Sequence, residues 1–350
     1  MKLLRLLLLP FSLIYVVVIV LRNAAYDAGL FTSRKFSIPV ISVGNLAVGG
    51  AGKSPMAEYL VRLLKDRYKI ATLSRGYGRK TSGFIELTEA STTIDAGDEP
   101  VQFKHKFPSI TVAVCEKRAA GIEILQKSND LIILDDAYQH RSVKPGLSLL
   151  LFDYSSIFQP QYILPAGNLR EPLSGRKRAD VIIVTKTPDL LSEAEREKIA
   201  VRIAPYPNQE LFFSYLEYGD LEPLNNGQKL PLSTLNKETD IILLTGIANP
   251  ATLLDHLTQY TSRIVHHNYP DHHPFSTKNI AKLAAAWSAS KAKHKFIITT
   301  EKDAQRLRSA ELNELLRILP VYYLPVSAKI HKPQEERFNQ IIEQYVAKHL

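Results

Sequence analysis

Short apolar runs alternate with segments of helical periodicity along most of the chain. Apolar runs bounded by turn residues are typical of strands buried on both faces, whereas apolar positions three and four residues apart indicate helices. In the first two thirds, the predicted strands are 38–43, 70–73, 110–114, 131–134, 147–152 and 181–184, and the predicted helices are 56–64 and 118–125. This rhythm predicts an α/β fold with a mainly parallel sheet and helices on both faces.

The rhythm changes near residue 210. An aromatic strand over 211–218 is followed by the turn residues Gly219-Asp220 and Asn225-Asn226-Gly227, which indicate a hinge. Strands 241–244, 263–266 and 296–299 then alternate with helices that begin near Pro250, Ser276 and Glu301. We predict a second, smaller α/β unit here, with strand 321–324 returning along the hinge and a terminal helix over 335–348.

The N-terminus combines a basic start with an apolar stretch. Lys2 and Arg5 precede the apolar residues 6–20, and Arg22 follows them. A helix of this length reaches about 24 Å at ~1.5 Å per residue, short of the roughly 30 Å hydrocarbon core of a bilayer, and Pro10 interrupts the run. We favour a helix half-inserted in one leaflet. A full span and a secretory signal peptide are the alternatives, although no small-residue cleavage site follows Arg22.

A glycine-rich loop separates strand 38–43 from helix 56–64. Its residues are Gly49, Gly50, Ala51, Gly52, Lys53, Ser54 and Pro55. Backbone N–H groups in such a loop bind phosphates at the start of a helix, while the lysine reaches the β- and γ-oxygens and the hydroxyl binds Mg²⁺. Ala47 stands where the usual pattern begins with glycine. We still predict that this loop binds ATP with Mg²⁺.

The loop and the strand pattern together define the predicted architecture. We expect a P-loop core on a parallel sheet with helices on both faces, a second smaller α/β domain, and an N-terminal membrane-anchoring helix. The anchor would cover residues 1–30, the core 31–212 with 328–350 returning to it, and the smaller domain 213–327, joined by a two-stranded hinge.

Several acids follow in places suited to phosphate chemistry. Asp135 and Asp136 end an apolar strand, where carboxylates reach the carboxyl edge of a parallel sheet and can hold Mg²⁺. Asp98 begins a predicted helix, which fits capping, but phosphoryl transfer also needs a group that accepts the substrate proton. His272 could pair with such an acid, although the sequence does not bring the two together. Charge on a transferred phosphate could be neutralised by Arg75, Arg118 and Arg170.

Composition narrows the setting. The single cysteine, Cys115, excludes an internal disulfide and favours the cytoplasm. A formal charge of +9 suits an anionic partner such as nucleic acid, acidic lipid or polyphosphate. We expect no nucleic acid, because no helix-turn-helix, RNP or zinc pattern is present in the sequence.

Seven ordered segments carry a family resemblance. They are 43–55 (VGNLAVGGAGKSP), 74–78 (SRGYG), 97–100 (GDEP), 135–140 (DDAYQH), 164–172 (LPAGNLREP), 245–250 (TGIANP) and 299–303 (TTEKD). Together they resemble the tetraacyldisaccharide 4'-kinases of the lipid A pathway. Two of these segments depart from the usual family pattern: Ala137-Tyr138 replaces glycine followed by phenylalanine or leucine, and Ser54 replaces threonine.

The resemblance implies transfer of the ATP γ-phosphate to the 4'-hydroxyl of a tetraacylated glucosamine disaccharide 1-phosphate. It places the enzyme on the cytoplasmic face of the inner membrane, and we expect a monomer. Asp98 would accept the proton with support from His272, and Lys53 would serve the phosphates. The implied metal region is Ser54, Glu99, Asp135 and Asp136. The implied substrate and charge-stabilising residues are Arg75, Tyr77, Arg118, Gln139, His140, Asn168, Arg170 and Glu171.

A membrane-associated GTPase or ATPase switch is the rival hypothesis. Neither Asp135 nor Asp136 is followed three residues later by glycine. The guanine-reading pattern Asn-Lys-x-Asp is missing from the sequence, and Thr185-Lys186 has Pro188 where the acid would stand. Both observations weaken the switch hypothesis.

Overall fold

The computed structural model describes residues 5–225 and 227–349. Lys2 of the predicted basic start and Asn226 of the predicted turn lie outside the described residues. The strands are β1 (Val40–Asn45), β2 (Ile70–Ser74), β3 (Ile85–Glu86), β4 (Thr111–Val114), β5 (Leu131–Asp135), β6 (Leu147–Asp153), β7 (Val181–Thr185), β8 (Glu210–Tyr218), β9 (Glu222–Pro223), β10 (Asp240–Thr245), β11 (Ile264–Asn268), β12 (Lys295–Thr300), β13 (Val321–Leu324) and β14 (Val326–Ile330). They form two sheets.

Helices pack on both sheets, and one more helix lies near the N-terminus. They are α1 (Leu9–Asp27), α2 (Lys53–Leu64), α3 (Thr93–Ala96), α4 (Asp98–Lys106), α5 (Arg118–Leu125), α6 (Glu193–Ile203), α7 (Ala251–Thr258), α8 (Thr277–Ala289), α9 (Glu301–Leu307), α10 (Ala310–Leu316) and α11 (Lys332–His349).

The larger sheet has the strand order β14-β8-β7-β6-β1-β5-β2-β4-β3. The seven inner strands pair in parallel, and the two edge strands, β3 and β14, pair antiparallel to their neighbours. Strand β1 lies between β5 and β6, so the chain leaves it at the middle of the sheet. In open parallel sheets, ligands bind beyond the carboxyl ends of such central strands.

Both faces of this sheet are buried, as predicted. Along β5, Leu131 and Ile133 pack into one core with α2 and α11, whereas Ile132 and Leu134 pack into another with α5. This alternation follows from the two-residue period of a strand. It explains why the strand reads as a continuous apolar run.

The second sheet has the order β11-β10-β12-β13-β9. Four strands are parallel, and β9 pairs antiparallel to β13. The predicted return of strand 321–324 along the hinge is wrong, because β13 belongs to this second sheet. Pro325 separates β13 from β14, and it is β14 that returns and pairs antiparallel with β8.

Strands β8 and β14 connect the two sheets. The predicted domain boundaries at 212/213 and 327/328 fall within these two strands. A two-stranded hinge with those boundaries stays a prediction.

Helix α1 has one docked side and one exposed side. Ser12 Oγ donates to the carbonyl of Ile163 at 3.0 Å, and Tyr15 donates to the carbonyl of Arg170 at 3.1 Å. The other side exposes apolar side chains, which include Phe11, Leu13, Ile14, Val17, Val18 and Leu21. The helix is long and apolar enough, by length and composition alone, to cross a membrane.

Pro10 marks the start of this helix, which a turn at Leu7–Leu8 separates from the helical residues Arg5 and Leu6. It lies in the first turn, where the missing N–H has no partner to lose. The predicted interruption is therefore the start of the helix.

Candidate active site

The phosphate loop joins β1 to α2 in the centre of the larger sheet. Gly49 and Gly52 have φ angles of 106° and 76°, in the left-handed region that favours glycine. In the described structure, the amides of Gly52, Lys53 and Ser54 donate to no other group. Together with the helix dipole, these free N–H groups form a site for an anion.

Lys53 points back across the loop. Its Nζ lies 3.3 Å from Asn45 Oδ1 at the end of β1 and 3.7 Å from Asp136 Oδ1. The ammonium is therefore held over the carboxyl edge of the sheet, beside the predicted acids.

The two acids after β5 lie in different electrostatic surroundings. Asp135 is buried, and burial and the negative charge of Glu99 raise its pKa, although Lys53 opposes this shift. Burial also acts to raise the pKa of Asp136, but Lys53 and a hydrogen bond from Arg170 outweigh it and lower that pKa. The Arg170 contact is bidentate, with N–O distances of 2.8 and 3.2 Å.

These acids fit a Mg²⁺ ion that is shared with a nucleotide. Asp135 Oδ1 is buried and has no hydrogen-bond partner within the described residues. The same part of the chain holds no ready group of three or more His, Cys, Asp or Glu that would complete a metal cage. Mg²⁺ commonly takes one or two carboxylates and completes its shell with phosphates and water. The donor set therefore suits a metal that arrives with ATP.

Asp98 and His272 lie 174 residues apart in sequence but are in contact, Asp98 on the side of the larger sheet and His272 on the side of the second sheet. His272 Nδ1 lies 3.0 Å from Asp98 Oδ2. Asp98 opens α4, whose Val101 and Phe103 pack in the core of the larger sheet. His272 lies in a loop after β11, and its backbone N–H donates to the carbonyl of Gly246 at 3.1 Å. The fold thus makes a pair that the sequence could not show.

Cations surround this pair. Burial acts to raise the pKa of Asp98, but the His272 hydrogen bond and the charges of Lys302 and Arg306 outweigh it and lower the pKa to about 2. Arg306 Nε is 3.1 Å from the Asp98 carboxylate. Lys302 is 3.4 Å from His272 Nε2 and 3.0 Å from Glu99. Since Lys302 can only donate, this geometry leaves the ring proton on Nδ1, where it donates to Asp98.

Arg118 is the most buried of the predicted charge-stabilising residues. It is only 1% exposed, its Nη1 donates to the carbonyl of Cys115, and its Nε and Nη2 have no partner among the described residues. Burial lowers its pKa to about 10, although Asp135 and Asp136 raise it. Buried guanidinium N–H groups without partners fit the oxygens of a phosphate.

Three more predicted residues lie near Arg118 or His272: Arg75, Tyr77 and His140. Burial, with the charges of Arg118 and Arg75, lowers the pKa of His140 to about 4, so this ring is neutral at pH 7. Tyr77 is exposed, and its ring lies against that of His272 with 4.9 Å between ring centroids and a tilt of 51° between the ring planes. Arg75 is exposed, and its charge reaches both His140 and Arg118.

Glu171 is engaged in structural bonds, and its implied role as a substrate or charge-stabilising residue stays a prediction. It is 2% exposed, and both carboxylate oxygens accept from Arg178 at 2.8 Å. Gln139 and Asn23 also donate to it, at 3.0 and 3.2 Å. The fully bonded carboxylate therefore fastens α1 to the core. The sequence does not show these bonds, because the donors Arg178, Gln139 and Asn23 lie 7, 32 and 148 residues away from Glu171 in the chain.

Gln139 and Asn168 support the phosphate loop from outside. Gln139 Nε2 donates to the carbonyl of Asn45 at 2.8 Å. The backbone carbonyl of Asn168 accepts from Val48 N at 2.7 Å, and its side chain accepts from Arg5 at 3.3 Å. The first two contacts fix the backbone at Asn45 and Val48, just before the phosphate loop, against Gln139 and Asn168.

Three residues around the site were missed from the sequence: Asn45, Lys302 and Arg306. Lys302 lies inside the quoted segment 299–303, so a signal for it existed, but no role was assigned. Arg306 is one helical turn further on in α9. Its importance depends on tertiary contact with Asp98, which no local pattern records.

The loop, the acids and the paired Asp98–His272 define the class of the chain, a P-loop α/β protein built to position a nucleotide phosphate against an acceptor group. Comparison with known proteins gives the family. The family model described as tetraacyldisaccharide-1-P 4'-kinase matches residues 4–347, and the chain belongs to this family. The resemblance carried by the seven segments is thereby confirmed.

Individual relatives agree over nearly the whole length. A tetraacyldisaccharide 4'-kinase of Bacteroides thetaiotaomicron is 45% identical, with 96% of this chain and 92% of the relative covered. One from Flavobacterium psychrophilum is 43% identical, with 99% and 98% covered. The solved structure of LpxK from Aquifex aeolicus in complex with ATP is similar with a TM-score of 0.75 at 29% identity, covering 98% of this chain and 99% of that one.

Proposed function

We propose that this protein is a tetraacyldisaccharide 4'-kinase, which transfers the γ-phosphate of ATP to the 4'-hydroxyl of a tetraacylated disaccharide 1-phosphate. The observation that carries the proposal is the Asp98–His272 pair, formed between the two domains in a chain that matches this kinase family over its length. The name of the ATP-bound Aquifex relative supports ATP as the phosphate donor.

The phosphate loop and its neighbours bind and orient the nucleotide. The free amides of Gly52, Lys53 and Ser54 donate to phosphate oxygens. The Lys53 ammonium, held at the end of β1, binds oxygens of the same phosphates. Bound Mg²⁺ would neutralise charge on the β- and γ-phosphates, held by Asp135 with Asp136, Ser54 and Glu99 as the further candidates. The unpartnered N–H groups of Arg118 stabilise negative charge that develops during transfer.

The Asp98–His272 pair accepts the proton of the substrate hydroxyl. A carboxylate with a pKa of about 2 is always ionised at neutral pH, yet alone it holds a proton weakly. We therefore assign the proton to the pair as a unit, with Asp98 as the acceptor and His272 orienting and supporting it. Lys302 and Arg306 fix both members and keep Asp98 ionised.

Helix α1 brings the active site to its lipid. Acyl chains leave a bilayer at a cost of about 0.8 kcal/mol per CH₂ group, so the enzyme has to reach a substrate that stays in the membrane. The exposed apolar side of α1 and its hydrogen bonds to segment 163–170 support that arrangement. We propose a monomer that is attached, without crossing, to the cytoplasmic face of the inner membrane.

Purified protein tests the proposal with Mg²⁺, ATP and the acylated disaccharide 1-phosphate in mixed micelles. We expect one phosphate to be added to the lipid by the unaltered protein and by Lys198→Met, an exposed change in α6. Lys53→Met, Asp98→Asn and His272→Gln should fold and lose most of this activity. The Asp98→Asn/His272→Gln double variant should be no slower than the slower single one, because the two residues act as a unit.

The switch hypothesis makes the opposite prediction. A GTPase or ATPase switch would hydrolyse nucleotide and leave the lipid unmodified. Membership of the kinase family favours the transferase.

A further inference from the structure

The end of strand β7 touches the phosphate loop through two side chains that no part of the mechanism above has used. Thr185 Oγ1 donates to the carbonyl of Ala51 at 2.9 Å, and Lys186 Nζ donates to the carbonyl of Gly50. Lys186 also forms an ion pair with Asp153, at the end of the neighbouring strand β6, at 2.9 Å. We call Asp153, Thr185 and Lys186 the loop brace.

The brace is built into the sheet. Asp153 and Thr185 are register partners in the parallel pair β6–β7. Thr185 is 2% exposed, and the side chains of Lys186 and Asp153 are 11% and 17% exposed. Lys186 adopts a φ of 58°, an uncommon conformation for a residue with a side chain. This backbone conformation occurs at the residue whose ammonium contacts the loop.

The contacts decide which groups of the loop face an anion. Carbonyl oxygens repel phosphate, and in a trans peptide unit the C=O and N–H point in opposite directions. Holding the carbonyl of Ala51 on Thr185 therefore turns the N–H of Gly52 the other way, toward the phosphate side, where it is one of the free amides. Lys186 binds the carbonyl of Gly50 in the same manner and keeps it off that side.

We propose that Lys186 and Thr185 are positioning residues for nucleotide binding, which hold the phosphate loop in its anion-binding conformation. The inference rests on the proposed function, because it concerns how the same loop binds ATP. Two of the three N–H donors of Lys186 are committed to Gly50 and Asp153, so we assign this ammonium to the loop rather than to the phosphates.

Binding of a fluorescent ATP analogue with Mg²⁺, followed by steady-state kinetics, tests the brace. Lys186→Met keeps the aliphatic stem and removes the charged hydrogen bond, and it should weaken nucleotide binding about tenfold or more. The KM for ATP should rise in parallel, while the KM for the lipid stays close to that of the unaltered protein. Because the change leaves the part-buried Asp153 unpaired and lowers stability, the two proteins are compared at a temperature well below the lower of their melting temperatures. Lys198→Met is the control and should bind the analogue normally.

A second variant separates the brace from simple charge. Lys186→Met leaves Asp153 unpaired, and that carboxylate could itself repel ATP. The double variant Asp153→Asn/Lys186→Met removes this repulsion, and the brace predicts that binding stays weak. Recovery of normal binding in the double variant would overturn the inference.

Thr185→Val gives an independent answer, also where Lys186→Met fails to fold. It should weaken analogue binding about threefold through loss of one neutral hydrogen bond. Unchanged binding in Thr185→Val, or a change below twofold in folded Lys186→Met, contradicts the brace. If the unaltered protein bound no ATP analogue, the proposed function itself would fail, which is a different result from normal binding by all variants.

Discussion

A partly buried lysine links the phosphate-loop helix to helix α9 beside the second sheet. Lys106, at the end of α4, lies 2.7 Å from Glu58 of α2 and 2.7 Å from Glu301 of α9. The carboxylates are 1% and 9% exposed at the side chain, and Lys106 is 18% exposed. We call Glu58, Lys106 and Glu301 the interdomain latch. We predict that Lys106→Met removes both of its ion pairs and lowers the free energy of unfolding.

The magnitude follows from what the change leaves behind. Removing one partner of a buried ion pair typically costs about 3–5 kcal/mol, because an uncompensated charge stays buried. Glu58 keeps Arg62 at 3.1 Å and Gln102 at 3.0 Å, so we expect the lower end of that range. A loss of about 3 kcal/mol corresponds to a fall in melting temperature of roughly 6–12 °C for domains of this size.

The effect should depend on pH. Burial and the charge of Glu58 raise the pKa of Glu301, whereas Lys106 lowers it. Without Lys106 this pKa rises further, and a carboxyl whose folded pKa is raised destabilises the fold as pH increases above its unfolded value. The difference in melting temperature between Lys106→Met and the unaltered protein should therefore be larger at pH 8 than at pH 5.

Thermal unfolding of the unaltered protein and of four variants, Lys106→Met, Glu301→Gln, their double variant and Lys229→Met, checks the latch. Lys106→Met/Glu301→Gln should be less destabilised than the sum of the single changes, since the double variant no longer leaves Glu301 charged. Lys229→Met breaks the exposed pair with Glu222 and should lower the melting temperature by no more than about 2 °C. Additive single changes, or a Lys106→Met effect as small as that of Lys229→Met, would refute the latch.

Three further predictions concern the exposed side of α1, the neutral ring of His140 and the bidentate contact of Arg170. Leu13→Glu/Leu21→Glu, which alters two exposed positions of α1, should reduce sedimentation with anionic liposomes and leave the melting temperature unchanged; unaltered sedimentation would exclude this surface from membrane binding. The NMR signal that His140→Gln removes should titrate near pH 4, and a titration near 6.5 would contradict the buried, cation-lined site. Arg170→Lys should lower kcat at least tenfold, because one ammonium cannot replace the bidentate contact with Asp136, and activity within twofold would count against it.

The sequence predicts most of the frame because the frame depends on local pattern. Short continuous apolar runs such as 131–134 favour strands buried on both faces, and the two cores into which alternate residues pack confirm this prediction. The start of α2 is equally local, since glycine, lysine and proline there specify a loop that opens a helix. The error at 321–324 has a simple cause: Pro325 divides two strands that pair with different sheets.

The site was harder to predict because its contacts cross the domains. Asp98 and His272 were each identified by type, but only the fold places Nδ1 within 3.0 Å of the carboxylate. Arg306 and Lys106 carry no motif, and each has one partner more than 190 residues away in sequence, Asp98 for Arg306 and Glu301 for Lys106. Glu171 shows the reverse case, in which a residue inside a recognised segment has both oxygens committed to structural bonds.

We propose that the Asp98–His272 pair accepts the proton of the lipid hydroxyl to which the γ-phosphate of ATP is transferred. Mass spectrometry of the lipid after incubation with Mg²⁺ and γ-¹⁸O-labelled ATP tests it most directly. We predict a single labelled phosphate on the 4'-oxygen with the unaltered protein and very little with Asp98→Asn at equal ATP binding. An unlabelled lipid beside hydrolysed nucleotide, or full labelling by Asp98→Asn, would contradict the account.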